Sequence, residues 1–222
     1  MRFSVVIPAL NEAENIAACI ASAKGAQVIV TDGGSGDATI DIARNHGADI
    51  IVGTGGRGAQ QNAGAGHADG NALLFLHADT VLPTGWRAAA ERLLARPEVA
   101  VGAFSLSIRD ARNREAIIAG GANLRSRLLS LPYGDQALFL RRETFDRLGG
   151  FNPLPVMEDF DLVHRARKLG EVKTLPQTVT TSNRRWRRVG ALRTLLINQA
   201  MLAGWAMDVP PERLARFYGR VR

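Results

Sequence analysis

The chain has 222 residues, 46% hydrophobic and 22% charged, the balance of an ordinary globular protein with ample core. Its single cysteine, Cys19, excludes an internal disulfide and any cysteine-rich zinc site. The formal charge of +7 comes almost wholly from arginine, whose planar fork suits phosphate oxygens. The basic residues are spread along the chain apart from Arg184-Arg185-Trp186-Arg187-Arg188, which weighs against a nucleic-acid partner.

In chain order, the first half alternates short apolar runs with helix-like segments. Strands are expected at residues 3–7, 27–31, 49–52 and 72–76, each rich in Val, Ile or Leu. Helices are expected at residues 12–24, 37–46, 57–67 and 84–95. Buried strands alternating with helices predict an α/β fold, a mostly parallel sheet with helices on both faces. Asp37 reads as the cap of its helix, with Asp41 in the first turn suiting the dipole. Cys19, beside Ile16 and Ile20, reads as a small buried thiol.

The second half is less regular. Residues 101–108 and 137–141 read as strands, and residues 112–130 and 158–169 as helices. A last helical region spans residues 191–218 and is broken at Pro210-Pro211. Leu192, Leu195, Leu196, Gln199, Leu202 and Trp205 recur in it at helical spacing, as a face docking on the core would. With no repeat, low-complexity segment or long linker, one unit with a C-terminal helical appendage is expected. The apolar start is broken by Pro8, Asn11 and Glu12 before a secretory core could form, and residues 195–207 are too short to span a bilayer. A cytoplasmic location is expected, compatible with peripheral contact at the inner face of the membrane.

In an open parallel sheet, ligands collect beyond the carboxyl ends of the strands. Three strand ends carry polar residues here: Pro8-Ala9-Leu10-Asn11-Glu12, Asp32-Gly33-Gly34-Ser35-Gly36-Asp37 and His77-Ala78-Asp79. Asp37 is explained as a cap, Glu12 equally well as a dipole partner, and His77 as a packed imidazole rather than a metal ligand. A rival site is Gly53-Thr54-Gly55-Gly56-Arg57-Gly58, which satisfies GxGxxG after a strand, with Asp79 about 20 residues further on. Alone it would suggest an NAD-dependent oxidoreductase. Arg57 inside the turn, and the motif's place after the third strand rather than the first, count against that.

Val5-Val6-Ile7-Pro8-Ala9-Leu10-Asn11-Glu12 resembles the opening of glycosyltransferase family 2, the large family of inverting enzymes with the GT-A (Rossmann-like) fold. Asp32-Gly33-Gly34-Ser35-Gly36-Asp37 is similar to its Asp-Asp-Gly-Ser-x-Asp turn, and Gly56-Arg57 through Asn62 to its Gly-Lys/Arg…Asn stretch. His77-Ala78-Asp79 stands where its Asp-x-Asp lies. Gly149-Gly150-Phe151 followed by Glu158-Asp159 resembles its Gly-Gly-Phe…Glu-Asp element. Tyr133-Gly134-Asp135-Gln136 and Asn183-Arg184-Arg185-Trp186 resemble a small bacterial subgroup grouped with radical-SAM and selenium-domain proteins.

The resemblance implies a single glycosyltransferase domain over residues 1–222, with a nucleotide-sugar half (1–100), an acceptor and catalytic half (101–188) and C-terminal helices (189–222). It implies inverting, metal-dependent transfer from a nucleotide-diphosphate sugar to an acceptor hydroxyl. Pro8, Ala9, Asn11, Glu12, Asp32, Gly34, Arg57, Asn62 and Ala78 would line the donor pocket, Asp32 bonding the base. Asp79 would bind Mn²⁺ or Mg²⁺, Asp159 would be the base with Glu158 beside it, and Asp135 and Gln136 would face the acceptor. Independently of the resemblance, the basic cluster containing Arg184, Arg185 and Trp186 would clamp the diphosphate, meet an acidic acceptor or touch anionic lipid, with a plain solvated basic surface as the alternative. The chemistry agrees: a hard cation needs one or two carboxylates when phosphate oxygens complete its shell, and a base must take the acceptor's proton. Two departures bear on donor identity, Gly33 in place of the second aspartate of the first pair and His77 in place of the first aspartate of Asp-x-Asp. A catalytically silent nucleotide-sugar-binding protein is the other alternative.

Overall fold

A computed structural model describes residues 1–53, 55–111, 113–184 and 189–221. The first half runs β1 (Phe3–Ala9), α1 (Ile16–Ser22), β2 (Gln27–Asp32), α2 (Thr39–Asn45), β3 (Asp49–Val52), α3 (Gly56–His67), β4 (Ala72–Phe75), β5 (Thr80–Val81) and α4 (Trp86–Leu94). Then come β6 (Val99–Ile108), α5 (Asn113–Leu128), a 3-10 turn (Gly134–Gln136), β7 (Leu138–Arg141), α6 (Arg142–Leu148), α7 (Glu158–Ala166) and β8 (Glu171–Thr181). Helices α8 (Ala191–Ala206) and α9 (Pro211–Val221) close the chain.

Among the described residues the strands form one sheet in the order β3-β2-β1-β4-β7-β6-β8-β5. The first four strands are parallel. β7 runs antiparallel to both β4 and β6, β8 is parallel to β6, and β5 is antiparallel to β8. The expected α/β fold is present, with its parallel part confined to one half and a mixed part beyond β4.

The two faces of the sheet bury separate cores. Along β1, Phe3, Val5 and Ile7 join Cys19, Leu74, Leu76 and Trp86 on one side. Val6 points the other way, into Leu73, Phe75, Phe145, Phe151 and Leu162. Each such side chain taken out of water contributes about 1.5–3 kcal/mol, which is why β1 reads as a nearly continuous apolar run. Its one polar side chain, Ser4, is satisfied: its hydroxyl donates to Gln27 Oε1 at 2.6 Å and accepts the Gly70 N–H at 2.9 Å.

Several elements differ from the sequence expectation. The first helix begins at Ile16, not residue 12: Asn11 is left-handed (φ 54°), and the Glu12 carbonyl accepts the N–H groups of Asn15 and Ile16 at 2.9 Å in a turn. Asp37 lies one residue before the helix boundary at Ala38, where it accepts the Thr39 N–H at 3.0 Å. Strand β8 and helix α6 fall where neither was expected. β8 contains Pro176, which cannot donate to a ladder, and the pairing steps from Phe104↔Leu175 to Ser105↔Thr178 across it. In α8 the buried row is Thr194, Ile197, Met201 and Gly204; of the row expected to dock, Leu195, Leu202 and Trp205 are half-buried, Leu196 and Gln199 are exposed, and the side chain of Leu192 lies outside those described. The Pro210-Pro211 break separates α8 from α9, with Pro211 at the first helical position.

Candidate active site

The loops after β1 and β2 are tied into one wall. The Gly33 N–H donates to the Ala9 carbonyl at 2.9 Å, continuing the strand pairing. Asn11 donates its N–H to the Ser35 hydroxyl at 2.8 Å and accepts the Gly36 N–H at 2.9 Å. Glu12 N–H reaches the Thr39 hydroxyl at 2.8 Å, and Ala13 N–H reaches Asp37 Oδ2 at 3.3 Å. Below this wall, Gln60 on α3 donates to the carbonyls of Thr31 at 2.8 Å and Ala9 at 3.2 Å. No local pattern marks Gln60, because both of its partners are backbone atoms of distant strands.

Asp32 lies inside that wall rather than on its surface. It is fully buried, and its carboxylate accepts the N–H groups of Gly34 at 2.8 Å and Ser35 at 2.7 Å and the Ser35 hydroxyl at 2.5 Å. Its visible work is to close the turn around Gly34, which is left-handed (φ 96°) and exposed. Pro8 and Ala9 end β1 beside it, paired with Thr31 and Asp32.

At the end of β4, the chain passes through His77, the buried Ala78 and the half-buried Asp79. Asp79 Oδ1 accepts the hydroxyls of Thr80 and Thr181, each at a long 3.4 Å. Burial and the charge of Glu12 push the Asp79 carboxyl above its ordinary range, and Arg184 opposes them. Arg184 forms an ion pair with Glu12, whose other oxygen accepts Asn15 Nδ2–H at 3.0 Å. Arg184 thus stands beside two carboxylates from different strand ends.

The second acidic group opens α7. It follows Met157, a non-glycine residue in the left-handed region (φ 62°), a conformation sustained only where surrounding structure imposes it. Asp159 Oδ2 accepts the Gly134 N–H at 2.5 Å and Oδ1 accepts the Phe160 N–H at 2.7 Å. A Cβ on Gly134 would lie 2.9 Å from Asp159 Oδ2 and 3.0 Å from His77 Nε2, so the acid pair and the β4 end meet at this glycine. Glu158 is buried and lies 3.3 Å from the half-exposed Arg57. Burial and the neighbouring Asp159 raise the Glu158 carboxyl, while Arg57 works against the rise.

The site therefore gathers Asn11, Glu12, Gly34, Arg57, Asp79, Glu158, Asp159 and Arg184 at one end of the sheet. Two expected contacts have other work. Asn62 donates to the Phe151 carbonyl at 2.8 Å and accepts its N–H at 2.9 Å, which clamps the Gly149-Gly150-Phe151 loop. Gln136, expected to face the acceptor, does not: it is fully buried and donates to the Phe104 carbonyl at 2.9 Å and Ser126 Oγ at 3.1 Å. In the tight 3-10 turn adjacent side chains diverge, and Gln136 points into the protein while Asp135 stays half-buried. Residues missed in the sequence include Arg125, whose guanidinium lies 3.6 Å over the ring of Tyr133. Arg185 and Trp186, together with Thr54 of the glycine-rich turn, lie outside the described residues. That turn opens α3 beside β3, an edge strand, whereas the strand order reverses between β1 and β4. Gly58 there admits the Asn152 carbonyl, 3.1 Å from where its Cβ would be, rather than a strand.

Residues 4–153 match the model of the family described as Glycosyl transferase family 2. No curated protein matches the chain. Among solved structures, TarS of S. aureus superposes with a TM-score of 0.67 at 17% identity, over 87% of this chain and 39% of that one. The mannosyltransferase PcManGT of Pyrobaculum calidifontis, solved with GDP-Man and Mn²⁺, gives 0.63 at 22% identity, over 90% of this chain and 64% of that one. GalNAc-T7, solved with UDP, GalNAc and Mn²⁺, gives 0.63 at 16% identity over 82% and 44%. At these identities the likeness is one of fold, and the chain spans less than two thirds of each neighbour's length.

Proposed function

The chain belongs to glycosyl transferase family 2, and we propose that it moves a sugar from a nucleoside-diphosphate donor to an acceptor hydroxyl, with inversion at the anomeric carbon. The observation that carries this reading is the meeting at Gly134 of the Asp159 carboxylate and the β4 end that bears Asp79. A carboxylate held by two backbone N–H groups has a fixed direction, which a base needs if it is to receive a proton in the transition state. Asp159 takes the acceptor's proton as the acceptor oxygen bonds to the anomeric carbon. The bond from that carbon to the phosphate oxygen breaks, and the nucleoside diphosphate leaves with its electron pair.

The donor would rest against the wall built by Asn11, Glu12 and Gly34, with Pro8, Ala9 and Ala78 as its floor. Asp32 contributes by holding the turn in shape. Arg57 and Arg184 supply positive charge toward the diphosphate, and Asp135 lies on the acceptor side.

The residues present fit a divalent cation in one way. Among the described residues, no three His, Cys, Asp or Glu side chains form a group able to hold a metal unaided. Asp79, with two long hydroxyl contacts, offers one hard oxygen donor, sufficient when diphosphate oxygens complete the shell. Mn²⁺ or Mg²⁺ bound there would neutralise charge on the departing diphosphate. The nucleotide sugar and Mn²⁺ held by PcManGT, and the Mn²⁺ held by GalNAc-T7, support the same ligand classes here.

The test is calorimetric binding of UDP, GDP, ADP, dTDP and NAD⁺, with and without Mn²⁺, to wild type and Asp79→Ala, followed by transfer assays on Asp159→Asn. One diphosphate should bind in a manner that needs both Mn²⁺ and Asp79, and Asp159→Asn should keep that binding while losing transfer. Binding without transfer by the wild type would instead favour the silent binding protein. Binding of NAD⁺ alone would return the glycine-rich turn to the centre.

A further inference from the structure

The whole formal charge of +7 sits at one end of the chain. Residues 184–222 hold nine of the 28 basic residues and two of the 21 acidic ones, so residues 1–183 are balanced. The same end leaves apolar surface uncovered. Along α8, Arg193, Leu196, Ala200, Ala203 and Met207 recur at alternating steps of three and four, and all five are exposed. Leu196 is 60% and Met207 70% exposed, although a helix this apolar ordinarily belongs inside a protein. A separate row of α8, Ile197 and Met201, packs with Leu214 of α9, and Gly204 leaves the space that Leu214 fills. α9 adds exposed Arg213, Arg216 and Phe217. α8 also packs on α5, which exposes Leu124 at its end, and Leu129 just beyond is exposed too.

We propose that this α8–α9 face docks on an anionic lipid bilayer, its apolar row entering the headgroup region and its arginines meeting lipid phosphates. Among the described residues no helix is long and apolar enough to cross a membrane, so the contact is an interfacial one. A second copy of the chain is the rival occupant. A two-fold pairing would bring together two ends that each carry nine basic residues against the two acids Asp208 and Glu212, and that like charge opposes the approach. An anionic surface satisfies the same arginines and covers the same apolar row. The face is tied to the site: Val156 and Met157, just before Glu158, pack against Ile197, Met201 and Leu214, and Phe160 lies 5.6 Å from Trp205. The lipid-facing row and the row that meets the site lie on different sides of α8, so docking would hold the start of α7 about one helix diameter from the lipid.

Vesicle flotation tests this without donor or acceptor, and therefore independently of the catalytic reading. The full chain should bind phosphatidylcholine vesicles containing about 30 mol% phosphatidylglycerol at least about tenfold more tightly than pure phosphatidylcholine, and lose that advantage near 0.5 M salt, an order-of-magnitude expectation for several surface arginines. The double variant Leu196→Asp/Met207→Asp should bind about tenfold more weakly or worse, with an unchanged circular dichroism spectrum, since both side chains are exposed. Val52→Asp, at another exposed apolar position, should bind like wild type. Three results would overturn the proposal: no binding, salt-sensitive binding that the double variant keeps in full, or a dimer in sedimentation that the double variant dissolves.

Discussion

Gly134 donates its N–H to Asp159 Oδ2 at 2.5 Å, and its missing side chain is what lets Asp159 and His77 approach from opposite elements. Gly134→Ala would put a methyl group 2.9 Å from that oxygen, closer than real contacts allow, and 3.0 Å from His77 Nε2, a tight contact. Asp159 or the turn must then move by part of an ångström. Turnover should fall about 100-fold, the scale of loss for a misplaced reacting group. Stability should fall by about 1–3 kcal/mol, the usual cost of overpacking. Because Gly134 does not touch the donor wall, binding of the nucleoside diphosphate should be unchanged. Steady-state kinetics beside calorimetry separates the two, and unchanged turnover would remove Asp159 from the role of a positioned base.

Asn62 makes two hydrogen bonds to one residue, Phe151, which is 89 positions away. Asn62→Ala would leave the Phe151 N–H and carbonyl unpaired beside the Phe75, Phe145 and Phe151 cluster. Each unsatisfied group costs about 1–3 kcal/mol, so thermal or urea unfolding should show a loss of about 2–4 kcal/mol. If Asn62 held the nucleotide directly, the main loss would be in donor affinity at near-normal stability.

Arg184 pairs with Glu12 and lowers the charge burden on Asp79, yet its side chain is 49% exposed. Exposed ion pairs stabilise little, so Arg184→Gln should change unfolding stability by less than about 1 kcal/mol. Its larger effect should be on the donor. Loss of a cation beside the diphosphate should weaken donor binding about tenfold at low salt, with a smaller effect at high salt. Titrations at two ionic strengths check this, and an unchanged affinity would make the Glu12 pair purely structural.

The parts of the fold legible in the sequence are those fixed by local pattern. Strands β1 to β4 are short apolar runs because both faces of the parallel sheet are covered, and their polar ends mark the crevice. β8 was hidden because Pro176 and the charged Glu171 and Lys173 break the strand signature, while its pairing with β6 is a long-range matter. Within the site, sequence position identified the loops but not the partner of each side chain. Asp32 bonds its own turn, Gln136 the carbonyl of Phe104, and Asn62 the backbone of Phe151. For the last two, the partner becomes a neighbour only after the sheet has formed. The buried row of α8 is illegible for a related reason: the helix is apolar nearly all round, so periodicity cannot choose which row is buried.

Glu158 gives the clearest pH signature. Burial and the adjacent Asp159 raise its carboxyl above the ordinary value of 4.5, against the pull of Arg57. The folded protein therefore keeps the Glu158 proton to a higher pH than the unfolded chain does. Its contribution to stability is complete below about 4.5 and is lost as pH rises through the elevated folded value. Glu158→Gln cannot ionise, so its stability should lack that fall, and the difference between variant and wild type should shift in the variant's favour as pH rises. Arg57→Ala removes the opposing charge and should carry the wild-type fall to higher pH. Urea unfolding at a series of pH values measures both. Parallel curves for wild type and Glu158→Gln would mean that Arg57, 3.3 Å away, holds Glu158 ionised in the fold despite its burial.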